Sequence, residues 1–165
     1  MPAIIPCLWF AGQAEEAARF YVSVFPSSRV LSVNPAPEGT PGAGPGDTLT
    51  VEFELDGVRF TGLNGGPQFT FSEAVSFQIE TGDQAETDRY WDALTADGGE
   101  ESVCGWLEDR FGLSWQVVPR RLTELVTDAD PARASRAVQA MLQMRRIDIA
   151  AVEAAADADS PVPAS

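Results

Sequence analysis

Residues 13–21 read QAEEAARFY, and residues 84–91 read QAETDRYW. Each sets Gln-Ala-Glu ahead of an Arg and two aromatic residues, with the spacing differing by one position. Each also follows a short apolar stretch and precedes runs with strand character, so the echo includes the order of the surrounding elements. A repeated order within one chain marks a duplicated supersecondary unit. The pattern predicts an α+β architecture in which a βαβββ module is used twice.

Working outward from the first helix, Ile4–Phe10 is an apolar stretch suited to a buried strand, and Gly12 breaks it. Ala14, Ala17, Ala18, Tyr21 and Phe25 then recur at helical spacing, and Pro26-Ser27-Ser28 ends that helix. Arg29–Asn34 reads as a second strand. Residues 35–47, PAPEGTPGAGPGD, form a Pro/Gly loop expected to be mobile. Thr48–Leu55 alternates apolar and polar residues, Asp56–Gly57 is a two-residue hairpin signal, and Val58–Asn64 completes the pair. The second module runs through a strand at Ala74–Glu80, a helix at Asp83–Ala96 stopped by Gly98–Gly99, and a hairpin at Cys104–Pro119.

These readings divide the chain into a first module at 1–67, a second at 68–120, a helical extension at 121–156 and a disordered tail at 157–165. In the extension, Asp130-Pro131 is an N-cap followed by proline at the first helical position, opening a helix over Ala132–Met144. Asp148 caps another through Ala156. These helices are expected to cover an apolar edge or a partner subunit.

Composition excludes several functions. The net charge of −14 argues against nucleic acid or anionic membrane, since phosphate contacts need clustered basic residues. Histidine is absent, and all eleven basic residues are arginine. The usual general base and commonest metal ligand are therefore missing, as is any lysine for a Schiff base or a P-loop. Cys7 and Cys104 have no C-x-x-C spacing and are expected to be buried, reduced core residues. The N-terminal stretch has no basic segment before its apolar run, and no membrane span is read, so a cytoplasmic protein is expected.

The segments PCLWFAGQAEEAARFY (6–21), AVSFQIE (74–80), DRYWDAL (88–94), CGWLEDRFGLSWQVVP (104–119) and MRRIDIA (144–150) together resemble the PhnB-like group. That group belongs to the glyoxalase/bleomycin-resistance/dioxygenase superfamily, also called the vicinal oxygen chelate superfamily. The resemblance covers most of residues 4–155. It implies paired βαβββ modules, each curling a sheet around a cleft, and a homodimer. Members often carry a 3-demethylubiquinone methyltransferase label, to which this sequence lends no support. No Gly-rich loop sits between a strand and a helix to hold S-adenosylmethionine.

Metalloenzymes of the superfamily hold a divalent ion with four cleft side chains, and the resemblance places those positions at Pro6, Thr61, Ala74 and Gln116. Proline and alanine cannot ligate, and one amide with one hydroxyl makes a poor site. No metal and no other cofactor is expected.

Period-two alternation assigns the cleft-facing residues. The expected ligand-binding set is Leu8, Phe10, Thr61, Gln78, Trp106 and Gln116, with Trp115 and Val117 in the core. Gln78 and Gln116 have a competing reading as cross-sheet hydrogen bonders that satisfy buried backbone. Glu52 is the one candidate for a catalytic base, against a solvated strand face. The expected function is metal-free binding of a small, partly aromatic molecule. The alternatives are a metal-dependent lyase, isomerase or dioxygenase with a non-standard ligand set, and a structural or regulatory dimer without a ligand.

Overall fold

A computed structural model of the chain describes residues 2–158. They pack as two compact units that divide between Phe71 and Ser72. The first contains β1 (Cys7–Phe10), α1 (Ala14–Val24), β2 (Arg29–Pro35), β3 (Thr48–Leu55) and β4 (Val58–Asn64). The second contains β5 (Ser76–Thr81), α2 (Gln84–Thr95), β6 (Glu100–Glu101), β7 (Trp106–Glu108) and β8 (Ser114–Pro119). Helices α3 (Arg120–Val126), α4 (Pro131–Met141) and α5 (Ile149–Asp157) follow. Each unit builds a four-stranded mixed sheet, ordered β1-β4-β3-β2 and β5-β8-β7-β6. The first strand of each unit runs parallel to the last, and the other neighbours are antiparallel. The duplication read from two helices is thus repeated strand for strand.

Helix α1 buries Ala14, Ala17, Ala18, Tyr21 and Val24, one face at helical period. Glu15 and Glu16 in its first turn complement the helix dipole. Gln13 makes no side-chain cap; Asn64 reaches from the end of β4 to accept the Ala14 amide at 2.9 Å. Gly62 lets β4 lie against this helix, since a Cβ there would meet the Ala14 Cβ at 3.2 Å. Beneath α1, Tyr21 stacks on Phe53 and Phe53 on Phe60. The hairpin turn holds Asp56 and Gly57 at positive φ, as a two-residue primed turn requires.

In the second unit, Asp83 caps α2 by accepting the Glu86 amide at 2.8 Å. Strand β5 starts at Ser76 rather than Ala74, and α4 ends at Met141 rather than Met144. The Asp109–Gly112 turn is organised by a buried carboxylate. Asp109 accepts the amides of Phe111 (2.8 Å) and Leu113 (3.1 Å) and the Trp115 indole N–H (2.8 Å).

The C-terminal helices make a small core of Leu122, Leu125, Ala137, Ile147, Val152 and Ala156 within this same unit. The segment before α5 is pinned to the start of the hairpin, with Cys104 and Gly105 amides donating to the Met144 and Arg145 carbonyls. No helix among the described residues is long and apolar enough to cross a membrane. The tail predicted at 157–165 lies, beyond Ala158, outside the described residues.

Candidate functional site

Helices cover one face of each sheet, and register decides which residues lie on the other. In the first sheet, Thr61 stands between Cys7 of β1 and Glu52 of β3. In the second, Gln116 stands between Gln78 of β5 and Trp106 of β7. Cross-strand partners point to the same side, so each trio forms a row on its open face. The rows occupy corresponding positions in the two copies of the module.

This corrects the assignment of β1. Leu8 pairs with Gly62, whose missing Cβ faces Ala14 of the helix, and Leu8 and Phe10 are buried at 6% and 3% exposure. Both belong to the helix-covered core, while Cys7 and Trp9 occupy the open side. A parity error of one residue inverts an entire strand, and the apolar run through Ile4–Phe10 carries no alternation to set it. For the same reason the open-face neighbour of Thr61 is Cys7, not Pro6. Ala74 lies outside β5, exposed, and offers nothing to the sheet face.

Cys7 is exposed and Cys104 half-buried, contrary to the expected buried pair. The Cys7 residue is open to solvent as a whole, yet local desolvation and then the Glu52 carboxylate push its thiol above the ordinary value. It is therefore protonated at neutral pH and a weak nucleophile. Trp91 and Trp115 are buried, whereas Trp9 and Trp106 are half-buried. Trp9 donates to the Gly66 carbonyl at 2.8 Å, with Phe69 against its ring. Phe71 packs edge-on against Phe10.

The two rows differ in chemistry. In the first, both Glu52 oxygens lie 3.0 Å from the Thr61 hydroxyl, and Arg59 stands 3.7 Å from Glu52. Arg29 pairs with Glu54 at 3.2 Å, and Asn34 donates to Thr50 at 3.1 Å. A carboxylate held between a hydroxyl and a guanidinium is positioned as structure rather than aimed at a substrate.

In the second row, the Gln116 side-chain N–H donates to the Ser76 hydroxyl at 2.9 Å, leaving its carbonyl oxygen without a protein donor among the described residues. The Gln78 amide has no side-chain partner there and is exposed. Of the competing reading, Gln116 keeps the cross-sheet hydrogen bond, made to a side chain on β5 rather than to buried backbone, and Gln78 makes neither.

Beside this row opens a cavity of roughly 170 Å³, lined by Glu73, Glu100, Ser102, Trp106, Glu108 and Ser114 among others. Glu100, Glu108 and Ser114 are successive cross-strand partners on the same face as Trp106. Desolvation, followed by repulsion from Glu100, Glu73 and Asp109, raises the Glu108 pKa above the usual carboxylate value. Sequence reasoning missed this acidic wall. Glu100 belongs to a two-residue strand, and Glu73 lies in the turn before β5, so neither carried a periodic signal.

A divalent metal of the kind the superfamily uses does not fit this donor set. The open-face row of the first unit carries a thiol, a hydroxyl and the Glu52 carboxylate, which Thr61 and Arg59 already engage, and the row of the second carries two amides. The Thr61 hydroxyl is already committed to Glu52, which leaves the amide oxygens of Gln78 and Gln116 as the second unit's contribution. Among the described residues no three His, Cys, Asp or Glu side chains are placed to hold a metal ion.

A duplicated βαβββ unit, its two mixed sheets each helix-covered on one face and open on the other, defines a protein of the glyoxalase/bleomycin-resistance fold. A sequence profile of the family described as 3-demethylubiquinone-9 3-methyltransferase matches residues 2–118, and the chain belongs to that PhnB-like family. A PhnB protein from Bacillus cereus, solved under the same methyltransferase description, is 31% identical, with a TM-score of 0.64 over 72% of this chain and 99% of that one. Protein PA1353 from Pseudomonas aeruginosa is 20% identical, with a TM-score of 0.59 over 72% and 98% of the two chains. The fosfomycin resistance protein FosX from Mesorhizobium loti shares the fold at 12% identity and a TM-score of 0.52, over 71% and 90%. No curated protein matches the chain.

Proposed function

We propose that this protein binds a small, partly aromatic organic molecule on the open face of its second sheet, without a divalent metal. The observation that carries the reading is the row Gln78–Gln116–Trp106, with the Gln78 amide exposed, the half-buried Gln116 engaged only through an N–H to Ser76, and a half-buried indole beside them. Amides that accept and donate, next to an aromatic surface and a cavity, are the means by which a pocket orients a neutral or polar ring compound. Glu52, engaged by Thr61 and Arg59, gives no support to acid–base catalysis. The Leu31 and Val33 side chains, exposed on the edge strand β2, support self-association into a homodimer, which sedimentation velocity at micromolar concentration measures directly.

The methyltransferase description of the family finds no support in the arrangement of the sheets. S-adenosylmethionine sites of the doubly wound type need a parallel sheet with a Gly-rich turn at its switch point, whereas both sheets here are mixed and four-stranded. Thermal-shift and NMR screening against aromatic natural products and thiol conjugates tests the reading. Hits that shift the Gln78, Trp106 and Gln116 signals, and weaken in Gln116→Ala, are expected. Hits that bind Gln116→Ala unchanged, or stoichiometric nickel, zinc, iron or manganese in protein purified without chelator, overturn it.

A further inference from the structure

On the reading that the open face of the second sheet holds a small molecule, we propose that the row Gln78–Gln116–Trp106 recognises an uncharged carboxamide or lactam carried on an aromatic ring, which makes the ligand class aromatic amides rather than acids or ketones.

Register sets the geometry. Gln78 and Gln116 are direct partners on parallel strands, and Gln116 and Trp106 are direct partners on antiparallel ones. Neighbouring strands lie about 4.8 Å apart, so the row runs roughly 10 Å, enough for one substituted ring.

The hydrogen-bonding groups left over in this row form a matched set. Ser76 takes one N–H of Gln116, and neither glutamine bonds the other among the described residues. Gln116 therefore retains an N–H and its carbonyl oxygen, and Gln78 retains a whole amide. A carboxamide presents its donor and its acceptor side by side in one plane. The partner that uses both is another group of that kind, which returns an acceptor to the N–H and a donor to the oxygen. A carboxylate or a ketone offers acceptors alone and gives nothing to the glutamine oxygens.

The indole is an independent observation. Trp9, Trp91 and Trp115 commit their N–H groups within the protein, to the Gly66 carbonyl at 2.8 Å, to Glu101 at 2.7 Å and to Asp109 at 2.8 Å. The half-buried Trp106 has no acceptor for its N–H among the described residues. Tryptophan N–H groups withdrawn from water are ordinarily paired. A ligand carbonyl is the acceptor this one lacks, and the indole ring gives the ligand's ring a surface to stack on.

Charge limits the choice further. The row contains no ionisable side chain, and the neighbouring row places Glu108 opposite Ser114 with Glu100 beyond it. An anionic ligand would meet those carboxylates without a cation in the row to hold it.

The test uses three soluble probes of one shape that differ in the group presented: benzamide, acetophenone and benzoate. Each is titrated into the full-length protein and followed by the side-chain N–H₂ signals of the glutamines and the Trp106 indole N–H signal. Benzamide is expected to shift the Gln78, Gln116 and Trp106 signals and to bind about tenfold tighter than acetophenone, the worth of one or two net hydrogen bonds. Benzoate should be weakest. In Gln78→Ala/Gln116→Ala, its folding checked by the backbone amide spectrum, the preference for benzamide over acetophenone should disappear. Equal binding of benzamide and acetophenone by the wild-type protein, or tighter binding of benzoate, overturns the amide class and leaves the small-molecule reading standing. Benzamide shifts confined to residues outside the row, or a preference that survives the double substitution, also overturn it. If none of the three probes shifts these signals, the amide class is overturned, and the separate Gln116→Ala screen decides the broader reading.

Discussion

Thr61 on the first sheet and Gln116 on the second occupy the same place in a duplicated module. Thr61 lies between Cys7 and a glutamate that takes its hydroxyl, with an arginine behind. Gln116 lies between an exposed Gln78 and a half-buried Trp106, and gives only one N–H to Ser76. The fold positions both rows equally well. Internal compensation distinguishes them: a polar row that satisfies itself has little free energy to offer a ligand, whereas a row left unsatisfied does.

The comparison can be broken hardest at the turns. The first module closes its hairpin with Asp56–Gly57, which relies on backbone conformation. The second relies on the buried Asp109 carboxylate and its three donors. Asp109→Ala strands those donors and should cost about 3 kcal/mol in urea unfolding. Asp56→Ala, on an exposed primed turn, should cost less than about 1 kcal/mol. Equal losses would mean that the hairpins are built alike.

Next in size is binding. Gln116→Ala should weaken ligands found in the screen by about tenfold, equivalent to roughly 1.4 kcal/mol, and leave unfolding within about 1 kcal/mol of wild type. The corresponding change on the other sheet, Thr61→Ala, should leave affinity unaltered by isothermal titration calorimetry.

A smaller effect concerns the first row alone. The Glu52 carboxylate helps hold the Cys7 thiol above its ordinary pKa, with desolvation the larger cause. In a Cys104→Ser background, Glu52→Gln should speed iodoacetamide labelling of Cys7 near pH 8 by about two- to threefold, because more thiolate is present. An unchanged pH–rate profile would remove Glu52 as a contributor.

The smallest effect is the stability of Glu108. Its folded-state pKa is raised, so the folded protein binds the proton more tightly than the unfolded chain does. The charged form therefore costs stability as pH rises from the unfolded to the folded value, and that cost persists above it. Glu108→Gln should gain at most about 0.5 kcal/mol at pH 7, since the side chain is exposed and screened. The gain should vanish when the pH falls below the ordinary carboxylate range, as thermal melts at the two pH values would show.

Much of this architecture was legible in the chain. Period 3.6 in Ala14, Ala17, Ala18 and Tyr21, period two in Thr48–Leu55, and the Asp-Gly turn are local signals, and each marks an element found in place. The parity of β8 was legible too, because Ser114, Gln116 and Val118 alternate with bulkier residues and Trp115 and Val117 are buried as expected. The face of β1 was not, since CLWF is apolar on both sides. Only its parallel pairing with β4 sends Leu8 to the helix and Cys7 to the open face.

The duplicated module and the amides of its second copy follow from the chain alone, because helix and strand periods and turn chemistry act over a few residues. The tertiary structure alone decided which polar groups are compensated. Glu52 finds Thr61 and Arg59 across neighbouring strands, while of the four glutamates gathered beside Trp106 only Glu101 is paired, with Arg145. Compensation depends on cross-strand register and on side chains brought together from distant positions. Coulomb and hydrogen-bond energies act through those distances in space rather than through separation along the chain.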